Sequence, residues 1–299
     1  MFVGGLSQKD WVALRDDPFH PLQNRAIQSV YPPGSVWKLM MAGLFLKEGI
    51  SPSFRVVCTG AVKLGNREFR CWRKGGHGAV DMIQSLLHSC DVYYYVLGEK
   101  LGIDRIESFA KACGFGAPTG IDLPHEKSGL VPSRAWKKRR SGEAWYRGET
   151  LNVSIGQVTP LQMANFVSSL LNGGKLMKPQ LLVDAKPEVR GNIPFSEEAR
   201  KLVLEGMRVT ADVGTAKVLR RTDAVIGGKT GTAQVVKIRM VGERRQRTAE
   251  MAYLERDHAW IASYGRKDGK DVVVVVMLEH GGGGSSAAGP VARDVYNIL

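Results

Sequence analysis

The chain has 299 residues, 43% of them hydrophobic and 8% aromatic, enough to bury the core of one large domain or two closely packed ones. Its 42 Lys and Arg outnumber 29 Asp and Glu, giving a formal charge of +13 that would suit nucleic acid, an anionic membrane surface or an acidic polymer. The densest basic runs, residues 137–140 and 244–247, carry no interleaved aromatics and no nucleic-acid motif, so they read as a solvated face and no nucleic-acid partner is expected. Nowhere do the roughly 18 to 20 consecutive apolar residues of a membrane-spanning helix occur.

Residues 1–34 are rich in turn formers and end in Tyr31-Pro32-Pro33-Gly34, where two prolines hold the chain extended and stop a helix from starting earlier. The apolar run from Ser35 to Lys47 predicts a largely buried helix. Residues 51–80 have no sustained period and read as irregular. Apolar residues at helical spacing predict a second helical block over 81–113, broken at Ser89-Cys90-Asp91. Further helices are expected over 160–171, closed by Asn172-Gly173-Gly174, and over 196–210.

The last eighty residues change character. Strands are expected around 224–232, 258–264 and 271–278, with Lys267-Asp268-Gly269-Lys270 as a hairpin turn. The unbroken valine run of the last strand predicts a central position buried on both faces. A helix over 289–299 would cover the sheet.

Three short motifs occur in order: Ser35-Val36-Trp37-Lys38, Ser89-Cys90-Asp91 and Lys229-Thr230-Gly231-Thr232. On a helix, positions i and i+3 share a face, so Lys38 can present its amine to the hydroxyl of Ser35. Such a lysine acts as a base only when neutral, and burial together with a neighbouring cation, Lys229, lowers a lysine pKa. Ser35 at a helix N-terminus also offers its backbone N–H to an acyl oxygen that becomes an oxyanion. Ser-x-x-Lys, Ser-Asp-Asn and Lys-Thr-Gly together mark the class A β-lactamases and penicillin-binding proteins.

Three of the four cysteines fall with one histidine in the order Cys58-x12-Cys71-x5-His77-x12-Cys90. This is not a compact zinc-finger spacing, yet three thiolates and an imidazole make a complete tetrahedral shell for zinc. Disulfides and buried free thiols are the competing readings. A closed site would be structural, and through Cys90 it would fix the second motif. Cys113 is expected in the core, and His258 is expected to brace the strand beside the active site.

The resemblance extends beyond the three motifs. Tyr31-Pro32-Pro33-Gly34-Ser35, Thr119-Gly120-Ile121-Asp122-Leu123-Pro124, Gly156-Gln157, Thr159-Pro160-Leu161-Gln162 and Lys229-Thr230-Gly231-Thr232-Ala233-Gln234 resemble class B penicillin-binding proteins. Trp72, Gly76-His77-Gly78, Trp136-Lys137 and Asp257-His258-Ala259-Trp260 resemble the elongation type, penicillin-binding protein 2. That resemblance implies an α/β (α+β) transpeptidase fold, an antiparallel sheet covered by helices plus an all-helical subregion, with residues 1–299 forming one transpeptidase domain. It implies a peptidoglycan D,D-transpeptidase acting on stem peptides and acylated by β-lactams at Ser35. Lys38, Ser89, Asp91 and Lys229 would be catalytic. Thr230, Gly231 and Thr232 would bind substrate, with the backbone N–H of Thr232 as second oxyanion donor. Catalysis itself would need no cofactor, while Cys58, Cys71, His77 and Cys90 would hold a structural zinc.

Full-length members carry a cytoplasmic tail, one membrane helix and a pedestal domain ahead of this region. The resemblance therefore implies a parent anchored in the bacterial inner membrane, this domain on its periplasmic face, and a glycan-polymerising partner of the shape, elongation, division and sporulation (SEDS) family. A serine β-lactamase or D,D-carboxypeptidase and a β-lactam sensor are the alternatives. Two departures stand out: Asp91 occupies a position that is Asn in most penicillin-binding proteins, although an acidic residue there is usual for the elongation type, and only Val158 separates Gly156-Gln157 from Thr159-Pro160, where the family usually has several residues.

Overall fold

The computed structural model describes residues 4–151, 156–236, 240–241, 244–246, 248–267 and 269–298. Two short helices, α1 (Gln8–Arg15) and α2 (Arg25–Gln28), lead to a single 3₁₀ turn at Gly34–Trp37 that passes directly into α3 (Lys38–Lys47). The expected helix from Ser35 is thus tighter in its first turn. The cause is Gly34, whose φ of +54° brings it so close to the neighbouring strand that a β-carbon there would lie 2.8 Å from the Thr232 carbonyl oxygen. All residues from Lys38 to Phe45 are buried, so α3 is the central core helix.

Residues 51–80, expected to be irregular, contain two strand pairs: β1 (Val56–Cys58) with β4 (Gly78–Val80), and β2 (Ala61–Leu64) with β3 (Arg67–Arg70). Strands this short leave too little sequence for a period to register. The helical block that follows breaks twice, giving α4 (Met82–Leu87), α5 (Asp91–Leu101) and α6 (Ile103–Ala112), with Gly102 at the second break.

The end of α4 positions the second motif. Cys90 N–H bonds to Ser85 O at 2.9 Å and Ser89 N–H to Leu86 O at 3.1 Å, the paired bonds of a Schellman ending. Its left-handed position, ordinarily glycine, is Ser89 with φ +51°.

Beyond α7 (Arg134–Ser141) and α8 (Arg147–Leu151), helix α9 (Pro160–Leu171) starts at a Thr159–Gln162 capping box, followed by the hairpin of β5 (Lys175–Met177) and β6 (Val189–Asn192) and by α10 (Glu197–Val213). Within the first basic run Lys137 is buried rather than solvated, its amine 2.7 Å from Glu149 and 4.0 Å from the Tyr146 ring centre. Of the second run Arg247 lies outside the described residues, and β8 (Met240–Val241) and β9 (Arg244–Arg245) form a two-residue pairing.

The main sheet comprises β7 (Val225–Ala233), β10 (His258–Lys267) and β11 (Lys270–Leu278), antiparallel in the order β11-β10-β7. Among the described residues, then, the valine strand lies at one edge and β10 holds the centre. The predicted turn has Lys267 paired with Lys270; its Asp268 lies outside the described residues. Alternation along β10 divides two cores. Trp260, Ala262 and Tyr264 join the main core with α3 and α9, while Ala259 and Ile261 pack with Ala288, Ala292 and Tyr296 beneath α11 (Gly289–Ile298). Among the described residues no helix is long and apolar enough to cross a membrane.

The left-handed backbone at Ser89 costs an L-residue about 1–2 kcal/mol that glycine avoids. Ser89→Gly should therefore be more stable than Ser89→Ala by about 1 kcal/mol, the reverse of the helix-interior order, since both variants lose the same hydroxyl. Chemical denaturation of the two proteins measures it; an alanine variant as stable as the glycine one would contradict the strain.

Candidate active site and metal centre

The turn that carries Ser35 sits against β7 on the side away from β10. Two proline rings and Gly34 bring Ser35 to the strand, and Gly231 opposite has no side chain to block the approach: a β-carbon there would meet Pro33 O at 3.1 Å and Val36 Cγ1 at 3.2 Å. Ser35 is half-buried. Lys38, one turn on, is buried, and its amine approaches Ser89 O at 2.9 Å, Ser89 Oγ at 3.3 Å and Asp91 Oδ1 at 2.6 Å. Its ring neighbour is Tyr94, 5.5 Å below the amine. Three donors thus meet three oxygens of the second motif, and the expected bond from Lys38 to the Ser35 hydroxyl is not among the hydrogen bonds of the described residues.

Asp91 is the first residue of α5, where the helix N-terminus favours a carboxylate. Its other oxygen, Oδ2, accepts from the backbone N–H of Trp72 at 3.0 Å. An ionised carboxylate can only accept, and Asp91 has a donor at each oxygen, which is the physical consequence of Asp where Asn is common.

Lys229 enters from β7 opposite Ala262, on the face of the sheet that packs on the main core. It is fully buried and gives hydrogen bonds to Ser89 Oγ at 2.8 Å and Thr230 O at 3.1 Å. Burial, followed by repulsion from Lys38, pushes its pKa well below the ordinary lysine value, with Asp91 opposing weakly. The Ser89 hydroxyl accordingly bridges two amines served by one carboxylate. Thr230 and Thr232 point to the other face of the strand: Thr230 Oγ1 donates to Thr215 Oγ1 at 2.9 Å, and the exposed Thr232 accepts the Gly284 N–H at 3.4 Å.

The second cluster touches the first. One ligating atom each of Cys58, Cys71, His77 and Cys90 lies within 4.8 Å of the others. All four cysteines are free thiols, and Cys113 is buried in the main core apart from the cluster. His77 Nδ1 stands 3.6 Å from Cys58 Sγ and 3.5 Å from Cys71 Sγ. A tetrahedron with Zn–S near 2.3 Å and Zn–N near 2.05 Å has an S···N edge of about 3.6 Å, so these separations fit zinc. A hydrogen bond between the Cys71 and Cys90 thiols pulls the pKa of Cys71 down and, with burial, pushes that of Cys90 up. His77 Nε2 is buried with no hydrogen-bond partner. Strand pairing of Cys58 with Gly78 and the bond from His77 N–H to Cys58 O at 3.0 Å set two of the four donors.

The sequence motifs named the amines, hydroxyls and thiols of both clusters, but not everything that orients them. The Trp72 N–H on Asp91, the indole N–H of Trp72 on His88 O at 2.9 Å, and the contacts of Thr215 and Gly284 were missed. Backbone donors and distant loop contacts leave no local signature; the signals available were the adjacency of Trp72 to Cys71 and the likeness of Trp72 to the elongation type. His258 stands where it was expected, at the start of β10, its ring edge-on to Tyr31 at 5.4 Å.

Residues 6–297 match the family described as the penicillin binding protein transpeptidase domain. The peptidoglycan D,D-transpeptidase MrdA of Acinetobacter baumannii is 36% identical over 289 residues, covering 91% of this chain and 43% of that protein. Among solved structures, Pseudomonas aeruginosa PBP2 in complex with WCK 5153 is 33% identical with a TM-score of 0.84, covering 98% of this chain and 66% of that one. A chain from a peptidoglycan synthase complex that coordinates polymerization and crosslinking is 34% identical with a TM-score of 0.81, covering 97% of this chain and 49% of that one. The chain thus spans about half the length of the curated relatives it matches. With a family match over nearly its whole length and the three motifs gathered at one strand edge, the chain belongs to the penicillin-binding protein transpeptidase family.

Proposed function

We propose that this domain is the peptidoglycan D,D-transpeptidase of cell elongation. Ser35 attacks the peptide bond between two D-alanines of a stem peptide, D-alanine leaves, and an amine from a neighbouring stem peptide takes the acyl group. β-Lactams acylate the same serine. The observation that carries this reading is the buried array of two amines and one hydroxyl, Lys38, Ser89 and Lys229, served by the single carboxylate of Asp91 beside a half-buried serine.

With both amines charged, the array would hold one uncompensated buried cation, so one amine gives up its proton. In the resting arrangement that amine is Lys229, because Lys38 has the carboxylate. A substrate carboxylate bound by the Thr230 and Thr232 hydroxyls would favour charge on Lys229 instead, and the Ser89 hydroxyl offers the path for the proton from Lys38. Lys38, then neutral, takes the proton of Ser35 as the hydroxyl attacks. The N–H groups of Ser35 and Thr232 receive the developing oxyanion. On collapse of the tetrahedral intermediate, Ser89 hands its proton to the departing amine and takes up the one that Lys38 received from Ser35.

Cys58, Cys71, His77 and Cys90 would hold a zinc ion whose contribution would be mechanical: Cys90 as a ligand would hold the peptide units of Ser89 and Asp91 on either side of it, and Cys71 as a ligand would hold the residue before Trp72, whose N–H orients Asp91. The whole protein works at the periplasmic face of the inner membrane with a SEDS-family glycan polymerase. Support for that partner comes from the likeness to the chain of the peptidoglycan synthase complex.

Ser35→Ala should abolish labelling by a fluorescent penicillin with the fold intact, and Lys38→Ala should slow acylation by about 10²- to 10⁴-fold. Stopped-flow labelling with circular dichroism as the fold control reads both; an alanine variant at position 35 that labels normally would move the nucleophile elsewhere.

Protein purified without added metal or chelator should contain about one zinc per chain by elemental analysis. Chelation, and separately Cys58→Ser, should lower the melting temperature and slow acylation, because metal-binding free energy adds to folding free energy. Metal-free protein with unchanged melting and acylation would count against the centre.

A further inference from the structure

We propose that Glu279 is a positioning residue that, through the Tyr31 hydroxyl, sets the distance between the Ser35 turn and the Thr230-Gly231-Thr232 strand. The inference rests on the reading of Ser35 as the acylated serine. Glu279 immediately follows β11, far from every motif in sequence, and its two oxygens are shared between two segments of the N-terminal region. Oε1 accepts the Tyr31 hydroxyl at 2.7 Å, and Oε2 accepts Arg25 Nε at 2.7 Å.

Tyr31 is four residues from Ser35, and the intervening Pro32, Pro33 and Gly34 leave little slack, since both prolines have φ fixed by their rings. Its backbone is clamped to Val158 by bonds of 3.0 and 2.9 Å, and the Trp260 indole N–H holds Pro32 O at 3.0 Å. The placement of Ser35 thus depends on a short, stiff segment held at a few anchors, and the Tyr31 hydroxyl on Glu279 is the one that ties it to the end of β11. On the other side, Glu279 leads through His280 into Gly281–Gly284, and this loop closes on β7. Gly284 N–H meets Thr232 Oγ1 at 3.4 Å, and a β-carbon on Gly284 would fall 2.4 Å from Trp260 O and 2.5 Å from Gly231 O. One carboxylate thus joins the two halves of the oxyanion site.

Stability alone is a poor account of this arrangement. The Arg25 and Glu279 side chains are 31% and 32% exposed, and ion pairs so open to water contribute little to folding. Geometry is another matter, because a misplacement of about 1 Å at a reacting group can cost on the order of 100-fold in rate.

The test compares saturating acylation by a fluorescent penicillin in Tyr31→Phe, Glu279→Gln, Glu279→Ala and the Tyr31→Phe/Glu279→Ala double variant, with melting temperature alongside. Expected is a fall of about 10- to 100-fold in the first-order acylation rate for Tyr31→Phe and Glu279→Ala, with half-saturation changed less than about threefold. The double variant should be no slower than the slower single, because both act through one hydrogen bond. Glu279→Gln should recover part of the rate, its amide oxygen still accepting the Tyr31 hydroxyl. Unchanged rates in folded Tyr31→Phe and Glu279→Gln overturn the proposal, as do losses that follow the melting temperature alone. Should Glu279→Ala fail to fold, these two near-isosteric variants decide. Ser35→Ala run in parallel separates the layers: labelling that persists there overturns the nucleophile, whereas silence there with normal Tyr31→Phe overturns only the role of Glu279.

Discussion

One carboxylate for two buried amines is the constraint around which the site is organised. Asp91 lies 2.6 Å from Lys38, and the fully buried Lys229 is left with a hydroxyl and a carbonyl. Because an unpaired ammonium is expensive away from water, proton occupancy is set by which amine has an anion nearby, and any ligand carboxylate changes that balance. Asp at this position gives Lys38 a charged rather than a dipolar partner, tightening the coupling between the second motif and α3. That anion must itself be held, and it is: the helix N-terminus of α5 and the Trp72 N–H both favour its charge.

Holding two amines and a hydroxyl at hydrogen-bond distance requires three chain segments to meet without bulk between them. Glycines supply the clearance on the strand side, with Gly34, Gly231 and Gly284 each so close to backbone that no β-carbon fits without displacement. On the helical side the chain accepts strain instead. Ser89 occupies a left-handed helix ending that glycine would fill at no cost, and the residue there carries the hydroxyl linking Lys38 to Lys229. Local stability is thus given up where the chemistry needs a side chain.

The thiol cluster adds a constraint of another kind. Cys90 stands between Ser89 and Asp91, and Cys71 precedes Trp72 while also receiving the Asp91 N–H at 3.4 Å. A divalent cation there would clamp the strained serine and the paired aspartate from behind, its four ligand bonds formed as the cysteine thiols give up their protons. Folding and catalytic geometry would then draw on the same site.

The sequence by itself picked out the Ser35 turn, the amines and hydroxyls that gather beside it, the four residues of the thiol cluster and nearly every long element. These depend on side-chain type at fixed spacing and on periodic runs such as 160–171 and 258–264. Tertiary structure alone decided which amine holds the carboxylate and which is depressed, because that turns on distances between residues more than fifty positions apart. It decided that Lys38 faces the second motif instead of Ser35, and that the valine strand is an edge among the described residues, since strand order is a matter of pairing and not of composition. The short strands of residues 56–80 and the reach of Glu279 to Tyr31 were likewise invisible beforehand. Each depends on a partner whose position no local pattern encodes.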